Sequence, residues 1–220
     1  MGKGRSASSR PRLVAFDLDG TLIPRTSVAR HLLAGLGFRR QADELERRYL
    51  SGEIDQREAA RLSGRAFAGA SVAWVERRLA ALPTLRGLDK TLRALSDAGI
   101  PVVIATVTWT FAVRYYARRF GFDGYTGTVM RETEGRLSGR VARYCSEDAK
   151  RDFVLAYAAR RGIPMRAVTA IGDARSDLPL FAAAGRAIAL NGSPEARAAA
   201  DLSVDTDDLA DLVPVLLGDN

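Results

Sequence analysis

Short, largely apolar runs that alternate with helical patterns constrain this chain more than any other feature. Leu13–Phe16, Pro101–Ala105, Ala167–Ile171 and Ala187–Leu190 read as strands, with Leu202–Val204 as a weaker edge. A run apolar at every position is buried on both faces, as in a parallel sheet sandwiched between helices. The helical patterns lie between the runs: Leu88–Ala98, Thr110–Phe120, Glu147–Arg161, Leu178–Ala184 and Asp207–Leu217. Gly99, Gly121, Gly162 and Gly185 sit where such helices should stop. The expected fold class is α/β, a doubly wound parallel sheet with its sites at the carboxyl ends of the strands.

Two segments interrupt the alternation. Between Ser27 and Pro83 every pattern is helical, with candidates Val28–Leu36, Gln41–Leu50, Gln56–Phe67 and Val72–Leu82. Inserted directly after the first strand, such helices would sit as a cap above the catalytic edge. Tyr125–Val141, with Gly127, Gly135 and Gly139, reads as a β-hairpin or small flap. The expected division is a core of residues 13–26 and 84–220, a helical cap of residues 27–83, and a basic arm of residues 1–12.

With 220 residues the chain can bury a substantial core. No apolar run approaches the roughly 20 residues needed to span a bilayer, so no membrane partner is expected. Met1 to Arg12 lacks an apolar segment, which argues against a secretory signal and predicts a disordered arm. The single cysteine, Cys145, permits no intramolecular disulfide and fits a reducing, cytoplasmic setting. The net charge of +7 raises the question of nucleic acid. Lys3, Arg5, Arg10 and Arg12 supply four of those charges, leaving +3 for the rest. The remaining arginines come in pairs such as Arg39-Arg40 and Arg118-Arg119 without interleaved aromatics. Solvated helix faces explain them, and no specific nucleic-acid partner is expected.

Asp17-Leu18-Asp19-Gly20-Thr21 follows the first strand directly. In an extended backbone, residues two apart point to the same side, so Asp17 and Asp19 would face one reaction centre. Crowded carboxylates push their pKa values apart or bind a metal. Gly20 permits a sharp turn, and Thr21 offers a hydroxyl and an amide to hold it. The second strand leads into Thr106, whose hydroxyl could hydrogen-bond a phosphoryl oxygen. The third ends in Gly172-Asp173-Ala174-Arg175-Ser176-Asp177. Asp173 at the strand tip could reach a metal held by Asp17. Asp177 could cap the next helix or support the metal site. Lys150, near the start of the preceding helix, would offset phosphate charge among the aspartates and is chosen by that position over the nearby Arg143 and Arg151.

This ordered set, Asp17-Leu18-Asp19-Gly20-Thr21, Thr106, Lys150 and Gly172-Asp173 with Asp177, resembles the haloacid dehalogenase superfamily of phosphohydrolases. The likeness covers nearly everything from Leu13 onward. It implies a Rossmann-like core with a C1-type cap. Gly135-Arg136-Leu137-Ser138-Gly139 and Ser176-Asp177-Leu178-Pro179 are most similar to the phosphoserine phosphatase branch. The resemblance implies that Asp17 attacks phosphorus and forms an aspartyl-phosphate, and that Asp19 serves as acid and then base. Mg²⁺ would be held by the carboxylates of Asp17 and Asp173 and the backbone carbonyl of Asp19. Thr106 and Lys150 would hold the phosphoryl group, with Asp177, Gly20 and Thr21 in support. The substrate would be a small-molecule phosphomonoester, and the protein a monomer or homodimer.

Where that branch carries a glutamate for the substrate amine, this chain has Thr26. Where its cap carries an arginine for the substrate carboxylate, a gapless count falls near Ser63, with Arg61 and Arg65 flanking it as candidate substitutes. Phosphoserine itself is therefore not the expected substrate. Arg25, Arg30, His31, Arg61 and Trp109 are the candidates for contacting the ester. The competing expectations are a phosphoserine phosphatase, a phosphotransferase with the same motifs, and a non-catalytic phospho-ligand or nucleic-acid binder on the same fold.

Overall fold

The computed structural model describes residues 10–218. Of the arm expected over residues 1–12, the first nine residues lie outside the described ones. Arg12 already belongs to the fold: its amide donates to the Ala167 carbonyl at 2.8 Å, and Pro11 is buried. The fold therefore includes residues ahead of Leu13.

In chain order the elements are β1 (Leu13–Phe16), α1 (Val28–Gly35), α2 (Arg39–Leu50), α3 (Gln56–Ala66), α4 (Val72–Ala80), α5 (Leu88–Asp97) and β2 (Val102–Trp109). Next come α6 (Thr110–Phe120), β3 (Gly124–Thr133), β4 (Arg136–Arg143), α7 (Glu147–Arg160) and β5 (Val168–Gly172). The chain finishes with α8 (Leu178–Ala183), β6 (Arg186–Leu190), α9 (Pro194–Ala199), β7 (Leu202–Val204) and α10 (Val213–Leu217).

The strands form one seven-stranded sheet in the order β4-β3-β2-β1-β5-β6-β7, parallel except for β4. β1 lies between β2 and β5, with Val14 beside Val102 on one side and Thr169 on the other. Its side chains alternate between two cores, as the pleat requires. Val14 and Phe16 join the cluster built from α5, α6 and α10, whereas Leu13 and Ala15 join that of α7, α8 and α9. This is the doubly wound arrangement expected from the sequence.

Three elements depart from the sequence reading. β2 continues past Ala105 to Trp109, because Trp109 pairs with Thr128 on β3 after a register shift. The segment expected as a hairpin or flap is a hairpin that joins the sheet: β3 runs parallel to β2 near its start and antiparallel to β4 thereafter. The last helix is shorter than Asp207–Leu217, because Leu209–Leu212 is a tighter 3₁₀ turn.

Helices α1, α3 and α4 start where Ser27, Asp55 and Ser71 each accept a hydrogen bond from the amide three residues on. Their buried side chains, including Leu32, Phe67 and Leu79, belong to the same cluster as Val14 and Phe16. The turn between α3 and α4 is stitched to the β3–β4 hairpin. Gly69 donates to Leu137, Leu137 to Ala70, and Val72 to Gly135, each at 2.8 Å. These helices are thus tied to the sheet at a point away from β1.

Candidate active site

The centre is built at the carboxyl ends of β1, β2 and β5. The Asp17 amide continues the sheet by donating to Ile171 at 2.8 Å, which fixes its carboxylate beside β5. Gly20, at φ +86°, turns the chain immediately afterwards, and a Cβ there would fall 2.2 Å from Asp173 Oδ2. Only glycine lets these two loops meet. The turn is held by backbone bonds, Gly20 to Ile23 and Ile23 to Leu18. The Thr21 hydroxyl instead crosses over and donates to Asp173 Oδ1 at 2.8 Å.

Lys150 lies in the first turn of α7 and is fully buried. Its ammonium donates to Asp17 Oδ1 at 2.7 Å and to Asp177 Oδ1 at 2.5 Å. The other Asp177 oxygen accepts from the amides of Asp173 and Ala174, both at 3.1 Å. The helix-cap reading of Asp177 does not hold, since its side chain makes no capping bond to α8. It orients Lys150 and braces the loop that carries Asp173. Gly172 makes this possible, because a Cβ there would overlap the Asp177 carboxylate.

Asp19 Oδ1 accepts from the Val28 amide at 2.8 Å, tying the carboxylate to the first turn of α1. Thr106 is buried, and its hydroxyl oxygen accepts from the Thr108 amide at 3.3 Å.

Burial raises the carboxyl pKa values of Asp17, Asp19 and Asp173. That of Asp17 rises to about 6, chiefly by desolvation, with Asp177 adding and Lys150 opposing. Asp19 rises to about 7 by desolvation, moderated by the Val28 amide. Asp173 rises to about 8, again by desolvation and then by the charges of Asp17 and Asp177. Burial works against the Lys150 ammonium, but Asp17 and Asp177 outweigh it and hold its pKa above the usual lysine value. Carboxylate oxygens of Asp17, Asp173 and Asp177 lie within 4.8 Å of one another. One ammonium faces these three carboxylates, so the cluster fits a hard divalent cation on oxygen ligands.

The centre opens on a cleft of about 1110 Å³ that reaches up between α1, α2 and α3, with Lys150 and Asp177 buried behind its lining. Asp17, Asp19, Gly20, Thr106 and Asp173 line it, as do Thr26 and Ser63. Of the expected ester contacts, Arg25, Arg30 and Trp109 reach it and two do not. His31 points instead to α4, where its Nε2 lies 3.0 Å from the Arg78 carbonyl. Arg61 is held outside the cleft by a two-point ion pair with Glu58 on its own helix. The cleft side of α3 is that of Gln56, Ala59, Ala60 and Ser63, which Arg61 does not share. Arg30 is already paired with Asp43 and Glu46. Trp109 is buried, stacked on Phe111 and edge-on to Phe67, so packing accounts for most of its surface.

Sequence reasoning missed two contacts across the cleft. Gln56 Nε2 donates to the Val107 carbonyl at 2.8 Å, joining α3 to β2. Arg175 lies over the Tyr49 ring at 5.5 Å, joining the loop after β5 to α2. Arg175 falls within the Asp173–Asp177 loop, which was the one available signal. Cys145 is fully buried with its thiol pKa raised by burial, which suits packing rather than attack. Among the described residues, no helix is long and apolar enough to cross a membrane.

Comparison with known proteins adds to this geometry. The model of the family described as haloacid dehalogenase-like hydrolase matches residues 14–182. A phosphoserine phosphatase of Archaeoglobus fulgidus is 28% identical over 206 residues, covering 93% of this chain and 60% of the relative. Another, from a Polaromonas species, is 29% identical over 203 residues, covering 88% of this chain and 84% of the relative. The chain thus spans less than two thirds of the first relative and most of the second. A solved structure described as the phospho-aspartyl intermediate analogue of a phosphoserine phosphatase superposes with a TM-score of 0.83. At 21% identity, covering 93% of this chain and 98% of that one, it establishes the shared fold.

Proposed function

Because the chain belongs to the haloacid dehalogenase-like hydrolases, we propose that it is a metal-dependent phosphatase acting on a small-molecule phosphomonoester. The observation that carries this reading is the pairing of Lys150 with Asp17 at 2.7 Å, with Asp19 and Asp173 opening on the same cleft. A buried carboxylate held by a fixed ammonium is oriented for in-line attack, and the ammonium then faces the phosphoryl oxygens.

In this proposal Asp17 attacks phosphorus and forms an aspartyl-phosphate. Asp19, with a pKa near 7, protonates the departing alcohol and then takes the proton of the attacking water. Thr106 and Lys150 hold the phosphoryl group, while Asp177 fixes Lys150 and the Asp173 loop. A divalent cation, Mg²⁺ by its preference for carboxylate and carbonyl oxygens, would be held by Asp17, Asp173 and the Asp19 carbonyl and would neutralise phosphoryl charge. Residues 27–83 act as the cap that shapes the alcohol side, over a core of residues 13–26 and 84–220.

Phosphoserine as substrate is the second reading, favoured by the names of the relatives. Thr26 and Ser63 weigh against it, since both line the cleft and neither carries charge. Phosphate release with and without Mg²⁺ across phosphoserine, sugar phosphates, nucleotides and phosphorylated biosynthetic intermediates tests the proposal. Metal-dependent release from at least one ester is the expected result, and none from any would overturn it. Product analysis with added acceptor alcohols separates hydrolysis from phosphoryl transfer.

A further inference from the structure

Resting on the phosphatase reading, we infer that the ester bound here carries a largely apolar alcohol with no carboxylate. The cleft wall supplied by α1, α2 and α3 presents Leu33, Ala42, Leu45, Ala59 and Ala60. Leu50 also lines the cleft and is 68% exposed, an apolar side chain left largely uncovered by the described residues.

On this wall Arg30 is outnumbered by the carboxylates that hold it. Arg30 Nε lies 2.7 Å from Asp43 and 3.3 Å from Glu46. Where the chain returns to the core, Arg86 pairs with Asp207 at 2.6 Å. Arg25 lines the cleft from an exposed position, where water screens an ion pair. Lys150 is engaged by Asp17 and Asp177.

A substrate carboxylate entering between these helices would lose hydration without meeting a buried, unpaired cation. An apolar body would gain by burial against the leucines and alanines. The volume of about 1110 Å³ lies just above the roughly 300–1,000 Å³ common for small-molecule sites and leaves room for a body bulkier than serine.

The test compares kcat/KM, with Mg²⁺ and the full chain, for ethyl phosphate, octyl phosphate, 2-phenylethyl phosphate and phosphoserine. All release a primary alkoxide, so the body of the alcohol is the main variable; p-nitrophenyl phosphate reports turnover as such. Octyl or phenylethyl phosphate should exceed phosphoserine by about tenfold or more, with the two apolar esters separating alkyl from aryl preference. Leu45→Arg should reduce that ratio by about tenfold. Leu50→Arg, at an exposed position that tolerates charge, should reduce it in the same direction. Phosphoserine preferred over both apolar esters would overturn this inference while leaving the phosphatase reading intact. Equal rates for ethyl and apolar esters would also overturn it. No release even from p-nitrophenyl phosphate would overturn both.

Discussion

Lys150 Nζ lies 2.7 Å from Asp17 Oδ1, joining residues 133 apart in sequence inside a fully buried contact. The same nitrogen reaches Asp177 at 2.5 Å, so one cation balances two carboxylates. Removing one partner of a buried ionic cluster costs far more than an exposed pair is worth. Lys150→Met should therefore destabilise the metal-free protein by about 3–5 kcal/mol, roughly 6–20 °C in a chain of this size. The loss should be smaller at pH 5 than at pH 8, because Asp17 can then take up a proton. Thermal unfolding at the two pH values checks this.

The raised carboxyl pKa values carry a definite sign. Asp17, Asp19 and Asp173 titrate near 6, 7 and 8 in the fold against 3.8 for a free aspartate. Between about pH 4 and pH 8 the folded protein therefore holds more protons than the unfolded chain, and stability from these groups falls as pH rises. Chelator-treated protein should melt higher at pH 5 than at pH 8, and Asp173→Asn should flatten that slope.

Metal addition should reverse the same trend. A hundredfold excess of Mg²⁺ over its Kd contributes about 2.7 kcal/mol, roughly 5–10 °C here. The gain should be larger at pH 8, where the ligands are ionised, than at pH 5. Differential scanning fluorimetry with EDTA and with Mg²⁺ at both pH values measures it.

His31 offers a contrast. Its ring binds the Arg78 carbonyl at the α1–α4 interface and does not line the cleft. His31→Gln keeps a donor there and should leave kcat/KM within about twofold of wild type. A larger fall would return His31 to the substrate site.

The fold was largely legible because β1 and Ala187–Leu190 of β6 are continuous apolar runs and β5 is interrupted only by Thr169. The extension of β2 was hidden, since Thr106 and Thr108 break the apolar pattern and only pairing with Thr128 makes Trp109 a strand residue. The motif aspartates, Thr106 and Lys150 lie around one centre because each follows or precedes a strand whose position the sheet fixes. The cap residues were harder to place. Arg61 misses the cleft that Ala60 and Ser63 line, and that rotation depends on how α3 packs against β2 and the hairpin. For Asp177 the sequence left a helix cap and a supporting role both open, and only the folded loop turns its carboxylate onto Lys150.

The central claim is that Asp17 is the group that attacks phosphorus. It is tested most directly by Mg²⁺-dependent phosphate release from p-nitrophenyl phosphate by wild type and Asp17→Asn, with circular dichroism confirming that both are folded. The account requires metal-dependent release by the wild type and none detectable from the variant. Wild-type rates from a folded Asp17→Asn protein would contradict it.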